Sequence, residues 1–127
     1  MIAAGQLMAG KKGLVMGVAN ERSITWGIAK ACHEQGAEVA FTFQGEALEK
    51  RVRPLAAELG AKVLGHCDVT DGASVDAVFG EAEKLWGGID FVVHCIAFSD
   101  KDQLTGRYID TTEDNFTKSL AISCYSF

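Results

Sequence analysis

Gly13-Leu14-Val15-Met16-Gly17-Val18-Ala19-Asn20-Glu21-Arg22-Ser23-Ile24-Thr25-Trp26-Gly27-Ile28 is the stretch that decides the fold. Its first four residues form a short apolar run that reads as a strand, closed by Gly17. Over residues 23–35 the period changes: Ile24, Ile28, Ala31 and Cys32 fall at i, i+4, i+7 and i+8, on one helical face. Gly36 then stops the helix, as a glycine at the C-terminal end does.

The rest of the chain repeats this unit of strand, turn and helix. Residues 39–43 are β-branched and aromatic, a second strand. Leu48, Val52, Leu55, Ala56 and Leu59 keep helical spacing up to Gly60, with Pro54 inside, where a kink or break is expected. Residues 62–67 give a third strand. Val75, Val78, Phe79, Ala82, Leu85 and Trp86 mark a third helix, ended by Gly87-Gly88. Residues 89–96 are nearly all apolar, the pattern of a strand buried on both faces. A polar, loop-like stretch over 98–110 follows. Thr111-Thr112-Glu113-Asp114 then opens a last helix, carried on by Phe116, Leu120 and Phe127.

Strands alternating with helices require crossover connections. The expectation is therefore an α/β fold with a doubly wound parallel sheet covered on both faces. In such sheets ligands gather outside the carboxyl ends of the strands. The chain has 127 residues, a net charge of −5 and 48% apolar residues, which excludes disorder and a polybasic surface for nucleic acid or membrane. No apolar stretch approaches the ~18–20 residues needed to span a bilayer. In residues 1–10 no basic residue precedes the apolar piece, so no signal peptide is read there and a cytoplasmic location is expected. The four cysteines read as reduced thiols. Cys32-His33, His66-Cys67 and His94-Cys95 suggest zinc, but in a strand neighbouring side chains point to opposite faces, so each strand pair offers one ligand at most. No metal is expected.

The strand exits hold the chemistry. Gly17 lets the backbone approach a ligand, and Ser23, at a natural N-cap, leads into N–H groups able to hold an anion. Gly27 removes a side chain where helix and strand would come close. An ordinary βα turn also wants a Gly and a Ser, so this loop fits both readings. Gln44 ends the second strand and can bond a ribose hydroxyl or the adenine region. No Lys or Arg follows it until Lys50, which favours NADH over NADPH. Asp68 could accept from an adenine amino group, with Val69 as an apolar wall, or could simply start a turn. His94-Cys95-Ile96-Ala97-Phe98 ends the fourth strand, with Phe98 toward a substrate.

Taken together these loops resemble the first half of bacterial enoyl-[acyl-carrier-protein] reductases, within the short-chain dehydrogenase/reductase superfamily. The likeness rests on Gly17, Ser23, Ile24 and Gly27, on Gln44, on Cys67-Asp68-Val69 and on residues 94–98. Asp102-Gln103-Leu104 and Ser123-Cys124-Tyr125-Ser126-Phe127 extend it. The resemblance implies a Rossmann-type sheet in the strand order 3-2-1-4, and NADH-dependent reduction of trans-2-enoyl thioesters, carried by acyl carrier protein, in fatty-acid synthesis. It implies a dinucleotide lined by Gly17, Ser23, Ile24, Gln44, Asp68, Val69 and Ile96. It implies an acyl site bordered by Ala97, Phe98, Ser99 and Leu104, and a homotetramer. The family often carries Ser-Ile-Gly where this chain has Cys95-Ile96-Ala97, and often Ala at the position of Ser99.

Residues 1–127 are expected to be the N-terminal, cofactor-binding half of one Rossmann-type domain. The superfamily's Tyr-x6-Lys or Tyr-x3-Lys pair is not found: Tyr108 is followed at +4 by Thr112 and at +7 by Asn115, and Tyr125 has two residues after it. No catalytic residue is assigned, and the 127 residues alone are expected to be inactive. Tyr108 and Tyr125 are read as loop and helix-packing residues. Two other readings stay open, a carbonyl reductase of the same superfamily and a non-enzymatic flavodoxin-like or receiver module.

Overall fold

A computed structural model describes residues 4–127, so residues 1–3 of the N-terminal segment lie outside it. The chain divides after Cys95 into two units. In the first, β1 (Lys12–Met16), β2 (Glu38–Phe43), β3 (Lys62–His66) and β4 (Phe91–His94) alternate with α1 (Ile24–Glu34), α2 (Gly45–Glu58) and α3 (Gly72–Trp86). All pairings are parallel, as the alternation requires, and the order is β3-β2-β1-β4, as expected of a Rossmann-type sheet. His66 and His94 therefore belong to strands at opposite edges of the sheet.

The apolar residues of β1 and β2 sort by parity. Val15, Val39 and Phe41 join Trp26 and Ala29 of α1 and Val52 of α2 in one core, with the Trp26 and Phe41 ring centroids 6.0 Å apart. Leu14, Met16, Ala40 and Thr42 point the other way and are buried too. Both faces are thus covered, the second by α3, whose buried residues are Val78 and Ala82.

The helical periods hold, with two corrections. In α1 the buried residues are Thr25, Trp26 and Ala29, while Ile24 is 82% exposed. The buried face is rotated from the Ile24-Ile28 stripe because Trp26 offers the largest apolar surface in the helix and Phe41 lies opposite it. For the same reason Gly27 faces solvent, and a methyl group there would meet nothing among the described residues. Helix α2 continues unbroken through Pro54. Pro54 and Lys50, whose carbonyl loses its partner, are both exposed, so water satisfies the carbonyl. Gly36, Gly60 and Gly87 end the three helices with positive φ.

β4 is shorter than its apolar run and is not buried on both faces: Val92 is 40% exposed. Among the described residues β4 has only β1 beside it. The two strands are clamped at their start, where Lys12 N donates to Asp90 Oδ2 and Asp90 N to Lys12 O, both at 2.8 Å. Just inside, buried Gly13 pairs with Phe91, whose ring occupies the space a Cβ at 13 would need.

The second unit, Ile96–Phe127, contains short 3-10 turns at Lys101–Leu104 and Tyr108–Asp110, α4 (Glu113–Leu120) and a π-helical turn at Ala121–Tyr125. Thr112 caps α4, its hydroxyl accepting from Asn115 N at 3.2 Å. The apolar stripe of α4 is not a buried face here: Phe116 and Leu120 are each 50% exposed. Tyr125 is 89% exposed and packs against no core among the described residues.

Replacing Gly13 by alanine should destabilise the fold by about 1–3 kcal/mol, the usual cost of overpacking. The double variant G13A/F91L should recover part of that loss in urea melts. Equal stability of G13A and wild type would contradict this packing.

Candidate functional site

The carboxyl ends of β1, β2 and β3 carry three hydrogen-bonded loops. In the loop after β1, Gly17 has φ +106°, and a Cβ there would collide with the carbonyl of Cys95 at the end of β4. Only glycine lets the two strand exits approach this closely. Ser23 stands at the N-cap position of α1 but does not cap the helix. Its hydroxyl instead accepts from Ala19 N and Asn20 N, each at 3.0 Å. Asn20 in turn accepts from Arg22 N at 2.8 Å through its side chain and from Ser23 N at 3.1 Å through its carbonyl. Ser23 therefore folds the loop back on itself and leaves the first N–H groups of α1 without a side-chain cap. That suits an anion at the helix start.

At the exits of β2 and β3 the structure brings Gln44 and Asp68 together: Gln44 Nε2 donates to Asp68 Oδ2 at 3.3 Å. The other oxygen, Oδ1, accepts from the Thr70 hydroxyl at 2.6 Å and from Thr70 N at 2.9 Å. These Thr70 bonds are the main reason the carboxyl of Asp68 sits below its usual pKa. Partial burial works the other way, and Gln44 and the His66 imidazole add to the lowering. Asp68 is thus a half-exposed, ionised acceptor with Oδ2 only lightly engaged. Cys67, buried just before it, has its thiol pushed up by burial and then by Asp68 and Asp71, so it remains a protonated thiol.

Four residues in or beside these loops were given no such role by the sequence reading. Ser74, in the first turn of α3, accepts from Asp68 N at 2.9 Å and lies 2.9 and 2.8 Å from the carbonyls of Asp68 and Asp71. His66 Nδ1 accepts from Gly45 N at 3.0 Å, tying β3 to the start of α2. Arg22 and Arg51 line a cavity of about 460 Å³ with Asn20, Glu21, Pro54 and Leu55, which holds none of the expected site residues. A D-x2-D-x2-S spacing carries no such meaning in sequence, and the partner of His66 comes from another element.

Ile96, Ala97, Phe98, Ser99 and Leu104 all belong to the second unit. Phe98 is 47% and Leu104 69% exposed. Ser123 holds the backbone of Phe98, accepting from its N at 3.0 Å, and Lys118 lies 6.0 Å from its ring centroid. Ser99 is tied inward: its Oγ accepts from Asn115 Nδ2 and from the Ser119 hydroxyl, each at 3.1 Å. Asn115, the buried polar centre of the unit, also accepts from Asp100 N at 2.9 Å. It was missed because an Asn at the third position of a helix usually serves the cap alone. Val69 is half-buried beside Asp68, and Ile24 is exposed at the start of α1.

Comparison with known proteins gives a consistent result. The family model described as "Enoyl-(Acyl carrier protein) reductase" matches residues 17–127. The enoyl-[acyl-carrier-protein] reductase [NADH] 1 of Rhizobium meliloti (strain 1021) is 66% identical over the whole chain, which covers 47% of that protein. Its second such reductase [NADH] is 61% identical over 95% of the chain and 45% of its own length. The crystal structure of the enzyme of that name from Anaplasma phagocytophilum, in complex with NAD, superposes with a TM-score of 0.92. It is 55% identical, over 99% of this chain and 48% of that one. The chain spans about half the length of the curated relatives it matches.

Ser74→Ala should cost about 1–3 kcal/mol, since it leaves the part-buried N–H of Asp68 without a partner. Amide exchange at Asp68 should accelerate in this variant, while exchange in β1 should not. Unchanged protection at Asp68 would show that Ser74 does not hold the turn.

Proposed function

Because the chain belongs to the enoyl-(acyl carrier protein) reductase family, we propose that it is the N-terminal, cofactor-binding half of a Rossmann-type reductase. In this reading the complete protein uses NADH to reduce trans-2-enoyl thioesters, carried by acyl carrier protein, in fatty-acid biosynthesis. The single observation that supports it best is the pairing of Gln44 with Asp68 at two neighbouring strand exits. It stands in the same sheet whose central strand ends at Gly17, where a side chain cannot fit. That arrangement suits a dinucleotide: an acceptor pair for an adenosine end and a glycine-lined turn with uncapped helix N–H groups for a pyrophosphate.

The residues divide the work as follows. Gly17, Ser23 and Ile24 would hold the pyrophosphate loop, Ser23 by keeping it folded back. Gln44, Asp68 and Val69 would hold adenosine, with Asp68 accepting from its amino group. Ile96 would border the nicotinamide end, and Ala97, Phe98, Ser99 and Leu104 the acyl chain. Ser99 would act through its ties to Asn115 and Ser119 rather than as a free hydroxyl. When bound, the cofactor supplies the hydride that saturates the enoyl double bond. The group that stabilises the enolate oxygen is a Tyr supported by a Lys in the superfamily, and residues 1–127 hold no such pair.

The relatives are named for NADH, and Gln44, a neutral residue after β2, fits a ribose hydroxyl better than a 2′-phosphate. A homotetramer in the cytoplasm completes the proposal. No helix among the described residues is long and apolar enough to cross a membrane. A flavodoxin-like or receiver module would need a different β1 exit: receivers gather acidic residues where this chain has Met16-Gly17-Val18-Ala19.

The test is NADH oxidation by the complete protein with a trans-2-enoyl thioester, beside a β-keto thioester. Enoyl turnover is expected, with none from the 127 residues alone. Turnover of the keto substrate only would replace this reading with a carbonyl reductase. Asp68→Asn and Gln44→Ala should each raise KM for NADH about three- to tenfold, the worth of one hydrogen bond, and leave kcat within about twofold.

A further inference from the structure

His66 has no part in the proposed chemistry, yet it connects the elements that present Gln44 and Asp68. Its Nδ1 accepts from Gly45 N at 3.0 Å. Gly45 is the first residue of α2 and directly follows Gln44, the N-cap, whose side chain makes no cap bond. The imidazole therefore takes over the task of an N-cap acceptor from a different strand. It fixes the backbone that carries Gln44, whose amide in turn reaches Asp68. Its ring also meets Phe43, with centroids 6.3 Å apart.

An imidazole nitrogen accepts a hydrogen bond only while it is unprotonated. Protonation would place a second donor against Gly45 N–H and break the tie. We propose that His66 is a positioning residue for the adenosine-binding pair and makes cofactor affinity pH-dependent through its bond to Gly45. The inference rests on the reading of Gln44 and Asp68 as the adenosine site.

Other charges around His66 do not account for such a dependence. Asp68, whose carboxyl interacts with His66, is held ionised below the usual carboxylate range and does not change charge near neutral pH. From α2, Arg53 lies 5.7 Å from the centroid of the Phe43 ring and is paired with Glu49. From β2 the Phe43 ring meets the imidazole, and Asp71 at the head of α3 is engaged by Ala73 N. Histidine is the side chain whose ordinary titration falls between about pH 5 and 8.

The experiment is a fluorescence titration of NADH with the complete protein at about pH 8 and about pH 5.5, using wild type, His66→Asn and His66→Phe. Asparagine can place its Oδ1 where Nδ1 stands and does not titrate. Wild type should lose affinity about three- to tenfold on acidification, the range of one hydrogen bond. H66N should hold its alkaline affinity at both pH values, and H66F should be weaker at both. If H66F fails to fold, the comparison of wild type with H66N still decides. An acid loss in H66N equal to that of wild type would assign it to other groups, such as His33 or His94, and overturn the inference. No acid loss in wild type would overturn it equally. Those results leave the cofactor site standing, whereas absence of NADH binding by wild type at pH 8 removes the site and this inference together.

Discussion

The close approach of β1 to β4 is the constraint on which the rest of the sheet depends. It is enforced at three levels along the pair. Lys12 and Asp90 exchange bonds at the start, the Phe91 ring covers Gly13 just inside, and Gly17 meets the Cys95 carbonyl at the exit. β1 is the central strand, with β2 on its other side, so an error here would propagate to every register in the sheet. The two glycines serve different ends. Gly13 makes room for an aromatic ring from the neighbouring strand. Gly17 both admits a carbonyl and adopts a left-handed φ that turns the chain out of the sheet and into the folded loop before α1.

That loop shows how one hydroxyl can define a binding surface by what it does not do. A capping serine would neutralise a helix N–H and leave less for a ligand. Ser23 turns the other way and satisfies Ala19 N and Asn20 N, so the loop is ordered before any anion arrives. Pre-ordering of this kind lowers the entropic cost of binding. Its counterpart on β3 is Ser74, which orders the turn carrying Asp68 from the following helix. Two serines on two helices thus hold the two loops that face the proposed cofactor.

The order of elements was legible in the sequence because each depends on a local period: strand runs of four to six residues, helical stripes, and glycine stops. Alternation made the sheet parallel, but the strand order came only with the family resemblance, since the same connectivity also serves a flavodoxin-like sheet. The orientation of α1 was not legible, since Ile24-Ile28 and Trp26-Ala29 are both apolar stripes of one helix. Only the presence of Phe41 across the interface selects the second. Pro54 misled for the same kind of reason: the cost of its missing N–H depends on whether the orphaned carbonyl meets solvent. In the candidate site, Gln44 and Asp68 were legible as strand-end residues, but their contact was not.

That contact, and the place of His66, follow from an irregularity between β2 and β3. Phe41 pairs with Val63, but Thr42 pairs with Gly65 and Phe43 with His66, so Leu64 is an extra residue on β3. Gly65, at φ +139°, absorbs the bulge. In an unshifted ladder Phe43 would face Gly65, and every side chain beyond it would point to the opposite side of the sheet. His66 would then lie on the wrong face for Gly45 N. The shift also lets Cys67 N donate to Phe43 O at 2.7 Å, which brings the exits of β2 and β3 level. Gln44, one residue beyond β2, and Asp68, two beyond β3, meet because of it. A single inserted residue, unmarked by any period in the sequence, therefore sets the contact of Gln44 with Asp68 and the place of the histidine that supports it.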